Sequence, residues 1–232
     1  MFFKLGHEVD DRFGCSTIFI LPDNGSVGSQ DTRGLRWGSV RLFFLRAGRE
    51  SVKRSKSSGG LTGSLLIITG SMGAGKTAVL AEASDILAQR QIVHAAIDLD
   101  ALGLAHLPSA ARSDGVMYDN LRSICRNYAA LGVQRFLVAR AIEDGAQLKL
   151  CRDIIPGANT VVCRLTASIE EMKRRVQMRD FGILQREYVA RVAQLNAILD
   201  RARLEDFAVA NENRSLTDVA LDMLVKAGWT SA

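Results

Sequence analysis

Gly70-Ser71-Met72-Gly73-Ala74-Gly75-Lys76-Thr77 fits the pattern GxxxxGK[ST], with Gly70, Gly75, Lys76 and Thr77 at its fixed positions. This run specifies a ligand, a geometry and a metal. Glycines let successive backbone N–H groups turn inward around phosphate oxygens. The whole run, with Ser71, Met72, Gly73 and Ala74 between the fixed positions, is the predicted phosphate cradle. Lys76 would reach the β- and γ-phosphates of a bound ATP, and the Thr77 hydroxyl would sit on Mg²⁺. A helix starting near Lys76 would aim its positive end at the same phosphates.

The sequence on either side supplies the context such a loop needs. Leu65-Leu66-Ile67-Ile68-Thr69 is a short apolar run of strand type. From Ala78 to Ala88 the chain is rich in helix formers, with Val79, Ala83, Ile86 and Leu87 at helical spacing. Strand, loop and helix follow in the required order.

The chain has 232 residues, room for one domain, or one domain with an appendage. Hydrophobic residues are 47% and charged residues 24%, so a folded core is expected. No apolar stretch approaches the roughly 18 residues of a membrane helix, and Met1–Glu8 lacks the long apolar centre of a secretory signal. Cys15, Cys125, Cys151 and Cys163 form no CxxC pair and no metal spacing. They are expected to be free thiols in a reducing cytoplasm, with no membrane partner.

The net charge of +5 raises nucleic acid as a partner, so its location matters. Residues 1–60 hold 10 Lys/Arg and 6 Asp/Glu, a net of +4. Residues 61–232 hold 20 and 19, a net of +1, which argues against nucleic-acid binding by that part. The leading segment also differs in composition. Asp23–Gln30 reads as loop, Ser51–Gly60 as a basic flexible linker, and Val40–Leu45 as a lone strand or short helix. Three readings of it stand: a basic arm for a partner, a disordered or poorly structured extension, or sequence upstream of the true start. The last two are preferred. On this reading, ATP affinity of a 61–232 fragment falls by less than about tenfold, or 1.4 kcal/mol, from that of the full chain, which titration of both checks.

From residue 61 the pattern alternates strand and helix. Strands are predicted at 64–69, 92–97, 135–139, 160–165 and 207–210, and helices near 76–90, 116–131, 143–152, 168–180, 185–204 and 215–227. Near-continuous apolar strands between helices indicate a parallel sheet of about five strands, covered on both faces: an α/β three-layer sandwich.

The second of these strands ends in Asp98-Leu99-Asp100, 22 and 24 residues after Lys76. Ligands of parallel sheets sit beyond the carboxyl ends of strands. Alternation by two would put both acids on one side of an extended chain. One acid there can support Mg²⁺ through water, and the other can accept a proton from a substrate hydroxyl. The bland alternative is a solvated turn. Farther on, Arg164, Lys173, Arg174, Arg175, Arg179, Arg186 and Arg191 crowd two helices broken by Phe181-Gly182-Ile183. Arg175 and Arg179, four apart, share one helix face and are chosen as residues of an Arg-rich lid that closes over ATP. The alternative is a solvated hairpin with salt bridges to Glu170, Glu171 and Glu187.

Together these pieces resemble the small P-loop kinases: the shikimate, gluconate, adenylyl-sulfate and adenylate kinase group. The resemblance covers about residues 64–229. Asp98-Leu99-Asp100 looks like the DxD of shikimate kinases and the acidic pair of the sulfate-activating kinases. It implies that Asp98 serves Mg²⁺ and Asp100 faces the phosphate acceptor. Leu165–Glu170 ahead of Arg175 and Arg179 is similar to the strand-to-lid segment of these kinases. Val209–Ser215 and the helix ending at Trp229 look like their last strand, adenine-side loop and closing helix, which implies that Asn211 and Arg214 flank the base. There is one departure. The third strand ends in Leu137-Val138-Ala139-Arg140 rather than in an Asp, so metal support falls to Asp98, Glu143 or Asp144. Gly103–Asp119, with His106, Pro108, Arg112 and Tyr118, occupies the acceptor side without a legible signature.

The expectation is a Mg-ATP-dependent kinase of a small hydroxyl-bearing molecule. Rivals remain open: a nucleotide-dependent regulator with no acceptor, a toxin-type kinase of a nucleotide sugar, or a nucleic-acid-binding module working through residues 1–60.

Overall fold

In the central strand of the sheet, neighbouring residues belong to different cores. The computed structural model describes residues 3–10, 15–22, 63–103 and 113–231, and the chain divides into two units, Met1–Ser57 and Ser58–Ala232. In the second unit, β3 (Ser64–Thr69) sends Leu66 and Ile68 into one apolar cluster and Leu65 and Ile67 into another. The period-two alternation of a strand explains the split. The same holds in β5 (Arg135–Ala139), where Leu137 and Ala139 join the first cluster and Phe136 and Val138 the second. A strand covered on both sides has no polar face, hence its unbroken apolar sequence. Each Leu or Ile fully buried there is worth about 2 kcal/mol.

The other layers are helical. The first cluster takes residues from α1 (Lys76–Gln89), α4 (Ile169–Arg179), α5 (Gln185–Ala202) and α6 (Leu216–Lys226). The second takes residues from α2 (Ser113–Ala129) and α3 (Gly145–Arg152). With β4 (Ala95–Asp98), β6 (Asn159–Thr166) and β7 (Phe207–Ala210), the strands form one five-stranded parallel sheet in the order β4-β5-β3-β6-β7. The chain leaves β3 toward one edge and later crosses to the other, so β3 lies at the switch point, where a crevice opens beyond the carboxyl ends.

One strand starts later than its sequence suggests. The apolar run 92–97 reads as strand, but β4 begins at Ala95. Ile92 instead closes α1: its N–H donates to the Leu87 carbonyl (2.9 Å), and the Gln91 N–H to that of Ala88 (3.0 Å). Gln91 has φ +56°, so this is a paired C-terminal cap with a left-handed residue that is not glycine. His94 then uses Nδ1 on the Ile92 carbonyl (2.7 Å) and Nε2 on the Ser84 hydroxyl (2.8 Å), which keeps the segment off the sheet.

In the first unit, β1 (Phe3–Asp10) pairs antiparallel with β2 (Cys15–Pro22), from Phe3↔Pro22 to Asp10↔Cys15. The sequence reading of residues 1–60 as poorly structured did not anticipate this pairing. The predicted loop 23–30, the element 40–45 and the linker 51–60 lie outside the described residues. Among the described residues, no helix is long and apolar enough to cross a membrane.

Burial makes three thiols inert: it pushes Cys125 and Cys163 up to about 12 and Cys151 to about 11.

Candidate functional site

The loop between β3 and α1 is built around positive φ. Gly70, Gly73 and Gly75 have φ of 149°, 76° and 92°. At Gly73 a Cβ would run into the Met172 carbonyl, and at Gly75 into the Asn211 amide. Gly75 is also the N-cap of α1, which has no side-chain cap and no acid in its first turn. By contrast, Asp144, Ser168 and Ser215 cap α3, α4 and α6 through Gln147 N–H (2.8 Å), Glu171 N–H (3.2 Å) and Asp218 N–H (3.0 Å). The first amides of α1 are thus left for an anion.

Gly73→Ala combines a left-handed φ with a backbone clash. It is expected to cost about 2 kcal/mol or more in stability and to weaken ATP binding with it, as urea denaturation and an ATP titration would show.

Lys76 is half-buried, and its ammonium folds back to donate to the Gly70 (3.0 Å) and Ser71 (3.1 Å) carbonyls. Burial holds its pKa below the usual lysine value. Asp100 and then Asp98 pull it up, while Arg179 and Arg140 push it further down.

The loop is fixed by residues far away in sequence. Buried Ser71 donates its hydroxyl to the Val192 carbonyl in α5 (2.8 Å). Asn211 donates Nδ2 to the Ala74 carbonyl (2.8 Å). Arg175 donates Nη1 to the Gly73 carbonyl (3.3 Å), Nη2 to the Asn211 carbonyl (2.8 Å) and Nε to Glu171 (2.7 Å). Arg175, expected on the lid, braces the loop here, with three of its five N–H donors on protein acceptors. Asn211 likewise spends its amide on the loop rather than on a base. Arg214, also expected beside the base, turns to α6: Nη1 meets Asp222 (3.0 Å) and Nη2 the Asp218 carbonyl (3.2 Å).

Arg179, in the last turn of α4, is exposed and paired with its neighbour Asp180 (2.8 Å). The turn beyond it carries Phe181 and Ile183, 85% and 98% exposed. Arg174 lies on the Glu171 side of the helix; its donation, followed by that of Arg175, outweighs desolvation and holds Glu171 down at about 2.

The acidic pair meets by a turn, not by alternation. β4 stops at Asp98, and Asp100 opens a short 3₁₀ turn, Asp100–Gly103. The Asp100 N–H donates to Asp98 Oδ1 (3.1 Å), and the other Asp98 oxygen accepts from Thr77 Oγ1 (2.7 Å). Thr77 and Asp98 thus present hard oxygen donors together at the mouth of the loop, which suits Mg²⁺. The alternatives are committed elsewhere: Glu143 accepts from Arg191 (2.7 Å) and Asp144 caps α3. Among the described residues no cluster of His, Cys, Asp or Glu forms a metal cage. An ion here would therefore need ligand phosphates and water to complete its shell.

Arg140, seen in the sequence only as a departure, proves central. Its N–H donates to the Ile68 carbonyl (3.1 Å), and its guanidinium pairs with Asp100. Burial opposes its charge, but that pairing more than offsets the cost and raises its pKa. A charged residue ending an apolar strand was the available sequence signal. Tyr118, placed on the acceptor side by sequence, is buried in the second core, where desolvation raises its pKa. His106, Pro108 and Arg112 lie outside the described residues.

No protein-family model and no curated protein matches the sequence. Among solved structures, the chain is similar to a sugar kinase from Janibacter sp., with TM-score 0.52 and 13% identity over 72% of this chain and 96% of that one. It is also similar to the tunicamycin resistance protein of Deinococcus radiodurans, with TM-score 0.50 and 16% identity over 72% and 97%. Loop, strand order and these likenesses agree: the chain has the α/β fold of the small P-loop kinases.

Proposed function

We propose that this chain is a Mg-ATP-dependent phosphotransferase acting on a hydroxyl of a small molecule. One observation carries the reading: the Thr77 hydroxyl meets Asp98, and Asp98 meets Asp100, at the mouth of the phosphate loop whose carbonyls hold the Lys76 ammonium. Loop amides from Gly70 to Thr77 hold the phosphates, and Lys76 turns from its own carbonyls to the β- and γ-oxygens. Thr77 and Asp98 hold the metal side. A magnesium ion bound there would neutralise charge on the bridging and terminal phosphate oxygens. Asp100 orients the acceptor hydroxyl and takes its proton as that oxygen attacks the γ-phosphorus and the β,γ-bridging bond breaks toward ADP. Arg179 supplies positive charge near the transferring group when the α4–α5 turn closes.

A screen of hydroxylated small molecules for stimulated ADP release tests this reading on the full-length chain. A molecule that accelerates release and emerges phosphorylated supports it. One feature favours a second reading: Asp100 is already engaged by Arg140. Steady basal hydrolysis with no acceptor in the screen would point to a nucleotide-dependent regulator instead.

A further inference from the structure

We propose that Arg140 is a latch on Asp100, and that an acceptor carrying an oxyanion beside its hydroxyl opens it. The inference rests on the phosphotransferase reading and adds the acceptor's chemistry.

Arg140 stands at the carboxyl end of β5, next to the loop-bearing strand, and its side chain is only 21% exposed. Among the described residues its guanidinium makes one hydrogen bond, from Nη1 to Asp100 Oδ1. Nη2 lies 3.9 Å from Asp114, beyond hydrogen-bond range. Nε is buried with no partner. A guanidinium has five N–H donors in a fork that matches a carboxylate or phosphate. Most of that fork is unused here, and a buried unpaired donor is costly. The arrangement fits an oxyanion better than it fits Asp100 alone.

The pairing also affects the base. Asp100 faces Arg140 through Oδ1. A carboxylate whose oxygen is held by a guanidinium is poorly placed to take a proton from water. When an oxyanion occupies Arg140, Asp100 is released toward the hydroxyl on the neighbouring carbon. The hydroxyl oxygen then bonds to the γ-phosphorus, the β,γ-bridging P–O bond breaks with its electrons leaving on ADP, and the proton moves to Asp100. Without the oxyanion the base stays latched, and ATP is spared from water.

The experiment uses the full-length protein and three probes: glycerate, glycerol 3-phosphate and uncharged glycerol. On protein loaded with Mg-ADP, calorimetry should show one of the two charged probes binding at least about tenfold tighter than glycerol, the scale of one charge-assisted fork. Which one wins tells carboxylate from phosphate. Arg140→Met should erase the preference. It should also raise acceptor-free ATP hydrolysis about tenfold or more by freeing the base, and Asp100→Asn added to it should remove that rise. If Arg140→Met does not fold, Arg140→Gln carries the same two expectations. Equal binding of all three probes by the wild type overturns the proposal. So does unchanged basal hydrolysis in a folded Arg140 variant with intact ATP affinity, which leaves the phosphotransferase reading standing. A wild type that binds no Mg-ATP overturns both.

Discussion

Lys76→Ala should weaken Mg-ATP binding by about 3 kcal/mol, the usual scale for a lost charged partner inside a site, or roughly a hundredfold in Kd. The protein should stay folded. Among the described residues the ammonium is satisfied by the Gly70 and Ser71 carbonyls alone, and burial depresses its pKa. A lysine with a depressed folded pKa binds its proton less tightly folded than unfolded, so it subtracts stability at neutral pH. That loss is recovered as pH rises through the folded pKa toward the unfolded value. Removing the charge should therefore hold or raise the melting temperature at pH 7 while ligand binding collapses. Unchanged ATP affinity in a folded variant would remove the basis for a phosphate site.

Asp100→Asn and Asp98→Asn should fail differently. Asn keeps the shape of Asp but takes no proton. Asp100→Asn should retain ATP affinity and lose acceptor phosphorylation by about 10²-fold or more, the scale of a lost general base. Asp98→Asn keeps an oxygen for the Thr77 hydroxyl but loses the charge beside it. It should raise the Mg²⁺ needed for half-maximal activity by about tenfold, as for other second-layer metal supports. Both variants are read across Mg²⁺ concentrations with the acceptor from the screen. Turnover of Asp100→Asn at the wild-type rate would end the base assignment. An unchanged Mg²⁺ requirement in Asp98→Asn would end the metal one.

The sequence made the loop legible because its chemistry is local. Glycine spacing, a preceding strand and a following helix all lie within residues 64–89. β3, β5, β6 and β7 were readable for the same reason, each an apolar run bounded by turns. The start of β4 was not, because Ile92 is as apolar as a strand residue yet serves the cap of α1. The acids were found by position, but their geometry was misread: a turn looks like alternation until the chain is traced. The roles of Arg175, Asn211 and Arg140 depended on partners 102, 137 and 40 residues away, which no local pattern encodes.

The braces on the loop set an order of events during synthesis. Residues 70–77 leave the ribosome early, but Arg175, Val192 and Asn211, which hold the loop's carbonyls and the Ser71 hydroxyl, emerge about 100 or more residues later. The face of α1 that follows the loop packs with Val219, Ala220, Met223, Leu224 and Trp229, almost at the end of the chain. A nascent chain stalled before α4 carries the complete motif yet lacks the residues that brace it. The shape of the loop thus belongs to residues made about 100 or more positions after the motif itself.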